Sequence, residues 1–334
     1  MIYRAFALVS LLVILAGCGS PDRPPNAGRS RPARPSAAAP TSAQTAAPGA
    51  AGTVSSGSVS GADSGLLAGC AAGRPANFNP ALVGTLSAGG SEWTVPAPVE
   101  AGRAAVDIYN DCTGAGANPD YASQLGTVVV DEDGAEITAY LFADNYFELY
   151  VNGAFVARDP IGFTPFNSSV VRFKARYPIT YAVKLVDWES HLGLGMEYEQ
   201  RKVGDGGFIA YFSDGSATSA AWRAETFYIA PLDNPGCVSI DGGRSSAGCP
   251  IRPACADANP EGCQALHVAL PAGWTAPGFD DSGWPQAREW PADKVTNQPA
   301  YADNAELFGT ASFIWTSNLH LDNLVLARHT VAAP

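Results

Sequence analysis

The stretch "ADNYFELYVNGAFVARD", residues 143–159, decides the fold. Phe147, Leu149 and Val151 alternate with Glu148 and Tyr150, the two-residue period of a strand with one face in a core. Asn152-Gly153 follows, the pair that most readily takes positive φ at both central positions of a tight hairpin turn. "AFVAR" then returns as the second strand.

The same signal recurs on both sides. "GTVVVDEDGAEITAYLF" (126–142) holds two β-rich runs around Asp131-Glu132-Asp133-Gly134, which predicts a second hairpin. "SSVVRFKARYPITYAVKLVDWE" (168–189) and "GGFIAYFSDGSATSAAWRAETFYIA" (206–230) are β-branched and aromatic runs broken at Tyr177-Pro178 and Asp214-Gly215. "ASFIWTSNLHLDNLVLARHTV" (311–331) alternates again. No amphipathic helix of ten or more residues, heptad or repeat interrupts them. Short strands separated by Gly, Pro, Asn and Asp predict an all-β, antiparallel β-sandwich, as one large domain or two packed subdomains. A parallel α/β fold is disfavoured because its crossover helices are missing.

The N-terminal 65 residues read differently. Arg4, the apolar run "AFALVSLLVILAG" and Leu15-Ala16-Gly17-Cys18 resemble a bacterial lipoprotein signal with its lipobox over residues 1–18, which implies cleavage that leaves Cys18 as the first residue of the mature protein. The apolar run is shorter than the roughly 20 residues a spanning helix needs. The resemblance implies lipidation of Cys18, with the lipid chains as the membrane partner. Gly19 stands where an aspartate would favour retention at the inner membrane, so the expected address is the outer membrane or cell surface. Residues 19–65 are Ala, Pro, Ser, Gly and Thr with hardly a large apolar side chain, a composition that predicts a disordered tether. Residues 66–334 are the globular region.

The chain carries a net charge of −12. Residues 1–65 hold five arginines and two aspartates, so the globular part is near −15. Nucleic acid, whose phosphates demand clustered Lys and Arg, is excluded as a partner. Besides Cys18 there are six cysteines, at 70, 112, 237, 249, 255 and 263. In an exported chain they predict three disulfides whose pairing the spacing leaves open. Zinc is the alternative for the last four, but their spacings lack paired short knuckles.

Two stretches resemble the galactose-binding-like jelly roll that accompanies many glycosidases as a sugar-binding or accessory domain. They are "ADNYFELYVNGAFV" and "GWTAPGFDDSGWPQA" (273–287), with "FIWTSNLHLDNLVLAR" (313–328) placed as its last strand. The resemblance implies a non-catalytic glycan-binding sandwich, and it implies that Phe-Asp-Asp-Ser-x-Trp at 279–284 is architectural. The residue types agree. Asp and Ser accept from nearby backbone N–H groups in a turn, Phe279 and Trp284 supply apolar faces, and adjacent Asp280 and Asp281 point apart when extended.

For chemistry, the sequence lacks a His-Glu-x-x-His motif, a Gly-x-Ser-x-Gly elbow and a phosphate-cradling glycine loop. The most unusual polar cluster is "VDWESHLGLGMEYEQ" (186–200), where Glu189, His191, Glu197 and Glu199 surround Trp188. A sugar stacks its apolar face on Trp while carboxylates accept its hydroxyls, so these five residues are the ligand-binding candidates. The hydrolase alternative, acting on envelope or extracellular polysaccharide, assigns Glu189, Glu197 or Glu199 as acid and base. A purely structural envelope lipoprotein is the third reading. Asp144 and Asn145 are a weaker candidate site, for calcium.

Overall fold

A computed structural model describes residues 52–57, 59–62, 83–110, 116–161, 166–189, 191–196, 203–296 and 298–333. In chain order the strands are β1 (Thr53–Ser56), β2 (Ser60–Ala62), β3 (Gly84–Ala88), β4 (Ser91–Val95), β5 (Val106–Asn110), β6 (Gly116–Ala117), β7 (Thr127–Val129), β8 (Ala135–Asp144), β9 (Tyr146–Val151), β10 (Ala154–Arg158), β11 (Asn167–Ala175), β12 (Ile179–Val186), β13 (Gly207–Phe212), β14 (Arg223–Leu232), β15 (Ser239–Ile240), β16 (Arg244–Ser245), β17 (Gln264–His267), β18 (Arg288–Trp290), β19 (Phe313–Trp315) and β20 (Asp322–Val331). The α-helices among the described residues are four or five residues long.

Two large sheets form an antiparallel sandwich. Sheet I has the order β1, β17, β14, β20, β12, β9, β10, and sheet II the order β18, β19, β13, β8, β11, β5, β6. The chain crosses from sheet II to sheet I between β8 and β9, β11 and β12, β13 and β14, and β19 and β20, and returns between β10 and β11, β12 and β13, and β17 and β18. Each switch carries the apolar face of one strand over onto the apolar face of the next, which is why both inner faces are filled. Phe147, Leu149 and Val151 of sheet I share this core with Ile137, Leu141, Phe173, Phe208 and Phe212 of sheet II. Tyr181 stacks on Phe212 at 4.0 Å between ring centres. Fully burying one such side chain contributes roughly 1.5–3 kcal/mol, so the interface between the sheets dominates stability.

The Asn152-Gly153 hairpin forms as its residues dictate. Asn152 has φ 49° and Gly153 φ 85°, and Ala154 pairs with Val151. The Asn152 side chain fastens the turn by donating to the Arg176 carbonyl at 2.9 Å and accepting from the Thr180 N–H at 2.9 Å.

Three expectations are corrected. First, 126–142 is not a hairpin. β8 pairs with one edge of β11 and β7 runs parallel to the other edge, so β11 lies between the two runs. The connection wraps the end of β11, with Val130 and Asp131 N–H both donating to the Lys174 carbonyl. Gly134 is needed there because a Cβ would lie 2.4 Å from the Ala175 backbone. Second, Thr53–Ser56, inside the stretch read as tether, pairs with β17 as the edge strand of sheet I. Its side chains bury little apolar area, so no hydrophobic pattern announced it. Third, the second face of sheet I is covered, not solvated. A second apolar cluster places Tyr146, Val186, Phe227 and Leu326 under Val95, Ala97, Phe279 and Trp284. Glu148, which alternates with the core residues Phe147 and Leu149, is fully buried there. It is tolerated because it pairs with Lys184 Nζ at 2.8 Å and accepts from Tyr150, Tyr146 and the Glu100 N–H.

The Phe-Asp-Asp-Ser-x-Trp phrase is part of that cover. Asp280 accepts from the Ser282 N–H at 3.0 Å, closing a turn. Asp281 reaches Arg328 Nε at 2.8 Å. The Arg328 guanidinium also donates to the carbonyls of Trp274 and Ala276 and lies 5.1 Å over the Phe279 ring. A charged side chain of β20 thus anchors the loop.

The four late cysteines pair as Cys237–Cys249 and Cys255–Cys263. Thiols consumed in disulfides are not zinc ligands, so the zinc alternative is withdrawn for these four. Cys18, Cys70 and Cys112 lie outside the described residues. The described residues all belong to the compact unit Ala43–Pro334, so the two-subdomain alternative is not needed.

Candidate functional site

The segment after β12 does not present Trp188 to solvent. Trp188 is 2 % exposed, and its neighbours Asp187 and Glu189 are buried as well. Its backbone N–H donates to Asn145 Oδ1 at 2.5 Å, and its ring meets Tyr146 edge-on at 6.3 Å within the second apolar cluster. A ring packed on its faces cannot stack on a sugar, so Trp188 is corrected from binding platform to core residue. Glu189 and Asp187 instead pack against Gly204, where a Cβ would fall 1.9 Å from Glu189 Oε1. His191 parts from them, its Nε2 lying 3.5 Å from Glu261 Oε1. Glu197 and Glu199 lie outside the described residues. The structure therefore brings Asp187 and Glu189 together but buries them, and sends His191 elsewhere.

Asp144 and Asn145 are both buried at the junction of β8 and β9. Asn145 Nδ2 donates to Asp144 Oδ1 at 2.9 Å, and its Oδ1 is taken by the Trp188 N–H. The Asn145 oxygen a calcium ion would need is thus already engaged inside the protein. Among the described residues no group of three or more His, Cys, Asp or Glu is arranged to hold a metal. Asn145 is corrected from ligand candidate to a bracket between β9 and the Trp188 segment.

Asp144 has a second environment. It lines a cavity of about 260 Å³ together with Phe166, Asp205, Asp293, Val295, Thr296 and Gln298. The geometry follows from the sheet. β11, β8 and β13 are neighbours in sheet II, and Gly207 of β13 pairs with Asp144 of β8. Phe166, Asp144 and Asp205 therefore sit at the same end of three adjacent strands. The segment around the Ala292–Lys294 turn closes the cavity from outside. Gly207 permits this approach, since a Cβ there would lie 2.1 Å from Val295.

Three carboxylates, a hydroxyl and a carboxamide line the cavity with one aromatic ring and one valine, and no Lys or Arg joins them. Such a lining accepts hydrogen bonds from hydroxyl or amine groups and repels phosphate and carboxylate. The Phe166 ring forms part of the wall while stacking on Phe142 at 6.3 Å between ring centres.

The sequence reading found Asp144 but missed Phe166, Asp205, Asp293, Thr296 and Gln298. With Asp144 they come from four segments whose only common property is position in the sheet, so no spacing could have joined them.

The remaining histidines serve packing. His267 Nε2 lies 2.6 Å from Ser55 Oγ, between the Trp93 and Tyr228 rings. Burial pushes its pKa down to about 4, so the ring stays neutral and holds the edge strand β1. His320 Nδ1 lies 2.7 Å from the Gly204 carbonyl, and His329 stacks on Trp222. The acids with raised pKa, Asp107, Asp159, Glu225 and Asp322, also lie in internal networks away from the cavity lining; desolvation is the first cause in each.

Comparison with protein-family models, characterised proteins and solved structures returns no match.

Proposed function

We propose that this is a lipid-anchored cell-envelope protein whose β-sandwich binds a hydroxyl-rich ligand, a glycan or envelope polymer, without catalysis. The anchor rests on the signal and Cys18, and the envelope or cell-surface address on the same residues. The jelly-roll, galactose-binding-like reading draws support from the repeated switching of the chain between the two sheets and from the architectural use of Asp280 and Asp281.

One observation carries the binding reading: the polar cavity of Asp144, Asp205, Asp293, Thr296 and Gln298 beside Phe166. It replaces the Trp188 segment as the candidate site. A glycosidase needs two carboxyl groups facing one cleft, one of them held protonated. Glu189, one of the acids the hydrolase reading assigns, is buried against Gly204 and faces no cleft; the three cavity aspartates are read as acceptors for ligand hydroxyls.

The test is a glycan array with the fragment 43–334, which keeps β1 in sheet I, run with and without calcium. Binding that is lost in Asp205→Asn and Asp293→Asn supports the reading. Absence of binding under both conditions would sink it, and binding indifferent to both substitutions would move the site elsewhere.

A further inference from the structure

A buried charge cluster outside the cavity joins the loop closed by Cys237–Cys249 to sheet I. Glu225 of β14 and Asp322 of β20 both lie in the protein interior, and so does Arg244 of β16. Arg244 Nε lies 3.3 Å from Glu225 Oε1 and donates to the Thr226 carbonyl at 2.6 Å. The Arg244 backbone N–H donates to the Glu225 carboxylate at 3.1 Å, and the guanidinium lies 4.6 Å over the Phe227 ring. Ser246 Oγ donates to Asp322 Oδ1 at 2.7 Å, and Asn318 Nδ2 donates to the Ser246 carbonyl at 3.1 Å. Thr316 Oγ1 donates to the other Asp322 oxygen.

The loop itself brings little apolar surface. Cys237, Val238 and Cys249 pack with Ile229, Leu232, Leu266 and Leu321. Polar contacts to two carboxylates therefore carry much of its docking.

Those contacts are short of balance by one charge. Two carboxylates face one guanidinium, and the electrostatic neighbours of Glu225 and of Arg244 are found within this trio. The other charged groups on the packed elements are turned away. Arg223 of β14 donates to the Trp284 carbonyl, Arg328 of β20 is paired with Asp281, and Asp241 of the loop is exposed. An uncompensated buried charge is costly, and one proton removes it.

We infer that docking of the Cys237–Cys249 loop takes up one proton from solvent, shared by Glu225 and Asp322, which makes the loop a proton-sensitive flap over the Ile229, Leu232, Leu266 and Leu321 cluster. The proton returns to solvent when the flap lifts and the Glu225 carboxylate is hydrated. Desolvation pushes Glu225 up to about 7 and Asp322 up to about 6, which places the transition near neutrality. The sign follows. Between the ordinary glutamate value of 4.5 and about 7 the docked state keeps a proton that the lifted state has lost. Docking therefore weakens as pH rises through that window and levels off above it.

Hydrogen exchange of the full-length chain between pH 5 and 8, corrected for intrinsic rates, tests this. For one proton the opening equilibrium of amides 239–248 rises about tenfold per pH unit from 5 to 7, then flattens. Amides 256–262, in the loop held by Cys255–Cys263 and by the Asp233 carboxylate, serve as the internal control and stay constant. In Glu225→Gln, which accepts the same Arg244 N–H without titrating, the slope for 239–248 disappears. Asp322→Asn provides the second variant and lowers the slope. A flat profile in the wild type overturns the inference. So does an unchanged slope in Glu225→Gln, or equal slopes in both loops, which would report global unfolding.

Discussion

Adjacent aspartates at 280 and 281 give the sharpest test of the packing argument, because two identical side chains one residue apart do different work. Arg328 is 1 % exposed at its side chain and Asp281 28 %. Removing the Asp281 carboxylate leaves a guanidinium enclosed with only the Trp274 and Ala276 carbonyls as partners. Breaking a buried ion pair from one side costs about 3–5 kcal/mol. Partial exposure of Asp281 lets water reach the cation, so Asp281→Ala should fall at the lower end, about 3 kcal/mol. For a domain of this size that lowers Tm by about 6–12 °C. Asp280 closes a solvent-facing turn, and Asp280→Ala should leave the denaturation midpoint where it is. Urea titration of both variants, read at constant m, is the assay. In Asp281→Ala/Arg328→Met, an apolar side chain replaces the stranded charge and much of the loss should be recovered. A cost below about 1 kcal/mol for Asp281→Ala, or an equal cost for Asp280→Ala, would refute the clamp.

Other outcomes follow from the same structure. Asp205→Asn or Asp293→Asn should weaken the ligand identified on the array by about tenfold or more, since a hydrogen bond to a charged group is worth roughly 1.5–3 kcal/mol; isothermal titration checks it. Reduction should lower stability by about 2–3 kcal/mol for each of Cys237–Cys249 and Cys255–Cys263, from the entropy of closing loops with separations of 12 and 8 residues, measured by urea titration with and without reductant. His267, held neutral down to about pH 4, gains a proton on unfolding between about pH 4 and 6.5. Stability is lost as pH falls through that window, by at most about 3 kcal/mol, and His267→Gln should flatten that part of the stability curve relative to wild type. Gly134→Ala drives a Cβ into the Ala175 backbone and should cost about 1–3 kcal/mol by thermal denaturation.

The alternation of Phe147, Leu149 and Val151 and the Asn152-Gly153 pair were legible because both act over a few residues. A two-residue period places one face in a core whatever covers it, and positive φ at a tight turn depends on two side chains alone. The same locality misled at 126–142, where two good strands and an acidic turn imply a hairpin unless a third strand enters between them, as β11 does. Trp188 failed as a site for a related reason. An aromatic residue among acids states that apolar and polar surfaces meet, not which of them faces water. β1 was invisible because an edge strand with Ser55 as its buried residue pairs through backbone groups that every residue carries.

By itself, then, the sequence determined the all-β class, the inward face of the strands, the presence of disulfides among the late cysteines and the architectural role of Asp280 and Asp281. Only the tertiary structure decided the rest. It set which cysteines pair, that the second face of sheet I is roofed so that Glu148 and Trp188 are interior, and that Asp144, Asp205 and Asp293 line one cavity. The physical reason is range. Periodicity and turn preference are written within a few residues, whereas a cavity is made where strands distant in sequence end side by side, an arrangement set by how two whole sheets bury their apolar faces.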